Sequence, residues 1–235
     1  MNYAMDNPIA IRASESARAG FIRRTYGHLA GAILAFAALE MCLLNLPNIE
    51  NIVLSMFATP WSWLLIVGAF IGVSFLAEMW ARSDTSRGMQ YLGLGLYVVA
   101  EAIIFLPLLY VAQYLARDPT LIPTAGILTL AIFAGLTLAA FTTRKDFSFL
   151  RPILCIGFFL SLGLVVAFAL FPNTTFGLFI AFGMVALASV AILYQTSNVI
   201  HHYRTDQHVA AALALFAAVA TLFYYILWIL LQTRE

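Results

Sequence analysis

The chain alternates between long apolar runs and short polar breaks. The runs lie near 25–46, 61–81, 89–112, 121–142, 152–171, 175–196 and 209–231. Each is long enough to cross bilayer hydrocarbon as a helix, which takes about 20 mainly apolar residues. The pattern predicts an all-α, polytopic bundle of seven transmembrane helices, with loops short enough to make successive helices antiparallel neighbours. Pro47, Pro60, Pro119, Pro123, Pro152 and Pro172 fall in loops or first turns, where proline is tolerated. Pro107 falls inside the third run and predicts a kink. Residues 1–24 read as a polar, mobile tail and 25–235 as the membrane domain, with nothing left over for a second domain. The tail has no apolar core of the kind a cleavable signal peptide needs.

Composition strengthens this reading. Of 235 residues, 63% are apolar and only 10% charged, and mean hydropathy is +0.94. A soluble domain carries about 25% charged residues, so a soluble enzyme or a disordered regulator is excluded. A net charge of +1 supplies no field for nucleic acid. Cys42 and Cys155 form no metal-binding spacing and read as small buried apolar residues.

The basic residues set an orientation. Arg12, Arg18, Arg23, Arg24, Arg82, Arg87, Arg144, Lys145, Arg151 and Arg204 fall on one side of the seven spans, and only Arg117 and Arg234 on the other. Basic loops face the cytoplasm, which predicts a cytoplasmic N-terminus and an external C-terminus. Trp61, Trp63, Trp80 and Trp228 sit at span ends, as an aromatic belt requires. Gly27 with Gly31, and Gly68 with Gly72, have GxxxG spacing and are expected to pack helices within the bundle.

Three carboxylates fall within spans: Glu40, Glu78 and Glu101. Ionisable groups in hydrocarbon are costly and mark candidate proton or cation sites. Glu78 is near enough to Trp80 and the span end to snorkel to the surface. Glu101 is central, and reads either as such a site or as a neutral carboxyl donating to a carbonyl freed by Pro107. His201, His202 and His208 cluster at the last cytoplasmic loop, but neighbouring histidines diverge and define no metal centre. No protease, nucleotide or metal motif is present, and Ser161 and Ser189 are expected to bond their own helix backbone. The reading is of a non-enzyme without cofactor or metal, whose obligatory partner is the lipid bilayer.

Four stretches carry a family likeness: FIRRTYGHLAGAILAFAAL in the first span, AAFTTRKDFSFLRPIL before the fifth, ILYQTSNVIH ending the sixth and AALALFAAVATLFYYILWIL in the seventh. The chain resembles the Bax inhibitor-1 family of seven-span membrane proteins, and within it the YccA branch, from about Phe21 to Leu231. The likeness implies two functional readings. Some family members look like pH-gated calcium leaks whose sensor is a pair of aspartates in the last two helices. Those positions fall here on Gln195 and Ala218, so that gate does not carry over, and a proton or calcium leak would need another site, Glu101 first. The YccA branch is similar to proteins that associate with the FtsH membrane protease and its HflK/HflC partners in the bacterial inner membrane. That likeness implies a regulator of membrane-protein quality control, with the segment Met1 to Gly20 as a handle for the protease. Within TTRKDFSFL, Asp146 is expected to cap a helical turn, with Phe147 and Phe149 docking into the bundle. Arg144 and Lys145 are then left to meet lipid phosphate or a partner protein.

Overall fold

A computed structural model of the chain describes residues 8–83, 86–116 and 118–233. Among these, eight α-helices follow in order: α1 Glu15–Leu44, α2 Ile49–Met56, α3 Pro60–Ala81, α4 Arg87–Tyr110, α5 Leu121–Thr143, α6 Arg151–Leu170, α7 Thr174–His201 and α8 His208–Thr233. All but the short α2 belong to the 7 helical segments of spanning length and hydropathy, and each predicted run falls on one of them. The class is therefore an all-α, seven-span bundle.

Local chemistry sets the helix ends. Ser14, Thr59 and Asn173 accept from the backbone amides of Ala17, Ser62 and Phe176, satisfying donors that a helix start leaves open. Pro60 opens α3, where its missing amide costs nothing. Pro107 does not end α4; the helix runs on to Tyr110 and passes into a π-helical turn at Val111–Leu115. That wider turn is a usual way to absorb a disturbed hydrogen-bond ladder. The sequence pattern missed α2, which is too short to span.

α8 is the central helix. It packs on α1, α3, α4, α5 and α7, and buries Leu213, Leu215, Phe216, Leu222 and Leu227. α4 is the second core element; α6 lies at the edge and buries no residue. An aromatic layer crosses mid-bundle: Phe36 meets Phe105 at 4.9 Å, Phe105 meets Tyr224 at 5.1 Å and Phe36 meets Phe216 at 6.0 Å between ring centres. Antiparallel alternation gathers the starts of α1, α4, α6 and α8 with the ends of α3, α5 and α7 at one end of the bundle. That end carries Arg23, Arg24, Arg82, Arg87, Arg144, Lys145, Arg151 and Arg204, and is called the basic end below. Arg117, Arg234 and the first seven residues lie outside the described residues.

Three expectations need correction. The segment before the first span is not a free tail over its described part. Ile9 and Arg204 form an antiparallel bridge, the Ala10 amide donates to the Tyr203 carbonyl at 2.9 Å, and the Thr205 amide donates to the Pro8 carbonyl at 3.3 Å. Ala10 is fully buried and α1 already begins at Glu15, ten residues before the first apolar run. The GxxxG glycines do not bring helices together: nothing approaches within 4 Å of where a Cβ would stand at Gly27, Gly31, Gly68 or Gly72. The close approach is at Gly93 instead, where that Cβ would lie 2.5 Å from the Ala77 carbonyl oxygen and 2.6 Å from the Ala81 nitrogen. Finally, Cys42 and Cys155 are exposed on the bundle surface. In hydrocarbon an apolar side chain gains little by facing inward, so the burial habit of soluble cysteines does not apply.

Candidate functional site

Glu101 lies on α4 and Glu40 on α1, and both are only 4% exposed. Their surroundings differ. The Tyr97 side chain, one turn before Glu101, faces its carboxyl, and Tyr224 of α8 stands nearby. Glu40 has no partner for either carboxyl oxygen. The structure does not bring the two together. The Phe36–Phe105 contact levels α1 with α4; Glu40 is one turn beyond it toward the far end and Glu101 one turn toward the basic end, an axial separation of about 12 Å. The aromatic layer lies between them. Glu78 stands apart from both: at the end of α3, half exposed, it pairs with Arg82 at 2.6 Å. The Arg82 guanidinium also sits over the Tyr203 ring, 5.8 Å from its centre. Burial works against the charged Arg82, but Tyr203 and Glu78 outweigh it and raise its pKa.

Gln195 and Ala218 lie on α7 and α8, which pack side by side. Ala218 is buried, and the Gln195 side-chain oxygen accepts from the Asn198 amide at 3.2 Å. Neither position carries an acid. Next to Gln195, Thr196 faces the Tyr26 hydroxyl, which also faces Thr137 of α5. These three buried hydroxyl oxygens lack a well-formed hydrogen bond. Sequence reading missed this cluster, because nothing in the spacing of residues 26, 137 and 196 links them.

At the basic end, Arg144 ends α5 in the left-handed conformation, with φ 51°, a position usually given to glycine. Asp146 caps the following turn: its Oδ1 accepts from the Ser148 amide at 2.9 Å, and His202 Nε2 lies 3.2 Å from the same oxygen. Partial burial alone would raise the Asp146 pKa, but these hydrogen bonds and His202 outweigh it and lower it below 3.8. Ser197 ties the junction to α7, accepting from the Phe147 amide at 2.9 Å and donating to the Lys145 carbonyl at 3.3 Å. The cap agrees with expectation and Phe147 is partly buried, but Phe149 is 65% exposed and does not dock. Arg144 and Lys145 are exposed, available to lipid or to a partner.

The histidines separate into two groups. His201 bonds its own helix at Ser197 and His202 meets Asp146. His28, far away in sequence, packs against His208 at 4.9 Å between ring centres, and its Nε2 lies 3.2 Å from the Tyr91 hydroxyl. Ser161 and Ser189 bond the carbonyls of Phe158 and Val185, as expected for hydroxyls in membrane helices. Among the described residues no cluster of three metal-binding side chains occurs.

Seven apolar helices, six of them arranged about the central α8, with acids inside and basic residues gathered at one end, define a polytopic α-helical membrane protein. Residues 18–235 match the family described as inhibitor of apoptosis-promoting Bax1, and the chain belongs to this Bax inhibitor-1 family. Its relatives come from distant lineages. It is 28% identical to an uncharacterized protein of Pseudomonas aeruginosa over 97% of this chain and 94% of the relative. It is 25% identical to Bax inhibitor 1 of Schizosaccharomyces pombe over 95% of this chain and 80% of that one. With Protein LIFEGUARD 3 of Arabidopsis thaliana the identity is 27%, over 94% of this chain and 88% of the relative.

Proposed function

We propose that this chain is a multi-pass protein of the bacterial inner membrane that associates with an FtsH-type AAA protease and its HflK/HflC partners. It modulates membrane-protein quality control without being an enzyme. The basic end faces the cytoplasm by the distribution of arginine and lysine. The observation that carries the reading is the absence of acid at Gln195 and Ala218, on two helices packed together. Two adjacent carboxylates titrate because they cannot both ionise cheaply; a glutamine and an alanine have no such response. This weighs against a gate of the di-aspartate type and toward the role that the YccA likeness implies. The N-terminal segment, the Arg144–Asp146 junction and the α7–α8 loop share the basic end, where a cytoplasmic protease domain would reach them.

The test is a mild-detergent pull-down of tagged full-length protein from native membranes, beside two truncations. Removing residues 1–7 leaves the pairing of Pro8 and Ala10 with residues 203–205 intact; removing residues 1–13 also removes that pairing. Recovery of the AAA protease with its band-shaped partners is the expected result, with turnover altered in one truncation or both. Failure to recover the protease while other membrane complexes survive would overturn the reading.

Glu40 favours a second reading, a proton or calcium leak. A buried carboxyl with both oxygens unpartnered is expensive unless it has work to do. Flux in vesicles that falls in Glu101→Gln or Glu40→Gln would support it; equal flux in protein-free vesicles would remove it.

A further inference from the structure

α1 and α4 part at the bundle surface and leave a groove of about 690 Å³ between them. Three of its wall positions are glycines: Gly27 and Gly31 on α1 and Gly95 on α4. None has an atom within 4 Å of a would-be Cβ, so each hollows the wall where a side chain would fill it. The remaining wall is apolar, including Ala35, Leu39 and Val98. Polar groups occur at one end only, where Arg23, Arg24, His28 and Tyr91 line the mouth, and no carboxylate lines the groove. Both arginines are exposed. Arg24 gives one donor to the Thr205 carbonyl at 3.3 Å, out of the five a guanidinium carries. His28 Nδ1 lies 2.7 Å from the Arg24 carbonyl and Nε2 lies 3.2 Å from the Tyr91 hydroxyl, which fixes the mouth.

We propose that this groove is a binding site for one anionic phospholipid, with its phosphate at Arg23 and Arg24 and an acyl chain lying along Gly27, Gly31 and Gly95. Three arguments select this occupant. The groove combines a cationic mouth with an uncharged trough, the reverse of a phospholipid's anionic head and apolar tail. From Arg23 to Leu39 the α1 wall is about 24 Å long, longer than half of a ~30 Å hydrocarbon core, so a chain entering from the basic end stays within it. Charge also disfavours a second copy of this chain seated by its own GxxxG face. A two-fold interface places the same patch on both sides, so four arginines would meet with no acid from either groove. A phosphate removes that repulsion, and fork-shaped guanidinium groups bind it with charge-assisted hydrogen bonds. The site is independent of the protease reading.

The experiment is native mass spectrometry of the delipidated full-length protein in mild detergent, titrated with phosphatidylglycerol or phosphatidylcholine. One phosphatidylglycerol is retained, and phosphatidylcholine is retained at least tenfold less strongly. Arg23→Gln weakens phosphatidylglycerol about fivefold, as loss of one basic contact near a lipid surface predicts. Arg151→Gln, at the same end but on the edge helix α6, leaves retention unchanged. Gly31→Leu fills the trough and abolishes retention; Gly95→Leu repeats the test from the opposite wall should the first variant fail to fold. Soluble glycerol phosphate does not compete, which separates a lipid from its headgroup. Equal retention of both lipids, equal losses in Arg23→Gln and Arg151→Gln, or unchanged retention with the groove filled would each overturn the site. Conversion of a dimer to a monomer by Gly31→Leu would assign the groove to a second copy instead.

Discussion

Two glycines of α4, only two residues apart, face opposite situations. At Gly93 the helix presses on α3, and a single added carbon would strike the backbone of Ala77 and Ala81. At Gly95 the helix stands away from α1 and borders the open groove. Two residues turn a helix by about 200°, so the same residue type serves a tight seam on one face and an opening on the other. The lesson concerns motifs. Both GxxxG pairs look like packing seams and are open, whereas the seam that matters is at a glycine outside either pair.

The comparison can be broken most forcefully at Gly93. Gly93→Ala is expected to destabilise the protein by about 1–3 kcal/mol or more, because rigid backbone rather than a flexible side chain stands in the way. A large fall in the thermal midpoint in detergent would show it, and an unchanged midpoint would mean that α3 and α4 slide apart easily. The same logic extends to the two buried carboxyls. Glu40→Met removes two unpartnered oxygens and is expected to stabilise by about 1–2 kcal/mol. Glu101→Met takes away the carboxyl that Tyr97 faces and is expected to stabilise less than Glu40→Met; chemical denaturation of both variants compares them directly. Next in size is Gly31→Ala, where open space leaves only the helix-propensity gain of about 0.5–1 kcal/mol. Its midpoint should rise, opposite in sign to Gly93→Ala. The smallest effect belongs to Asp146. Its pKa is lower in the folded protein, so its contribution is present above the unfolded value and is lost as pH falls below about 3.8. Hydrogen exchange at the Ser148 amide, corrected for intrinsic rate, should lose protection as pH falls below about 3.8 and on through the lower folded-state pKa, and Asp146→Asn should flatten that change.

The seven spans were legible because a run of twenty apolar residues has few other fates. The acids were legible too: Glu40 and Glu101 are conspicuous in such runs, and the Asp146 cap follows from its local neighbours. Orientation of side chains around each helix was not. A membrane helix is apolar toward its neighbours and toward lipid alike, so hydrophobicity cannot tell Gly93 from Gly95 or reveal that both cysteines face outward. Contacts distant in sequence were equally hidden. Nothing in the sequence links His28 to His208 until α8 brings the two together, and residues 8–12 read as tail until the loop at 203–205 pairs with them.

That pairing bears on how the molecule is made. Arg24 and Thr205, which meet at the basic end, are 181 residues apart. At usual translation rates of about 5–20 residues per second, this is a wait of about 10–40 s. Until the last hairpin emerges, the amide of Ala10 lacks its acceptor and the opening turn has no wall to lie against. Residues 8–10 are thus among the last to settle, and a ribosome stalled before the α7–α8 hairpin would leave them unclasped.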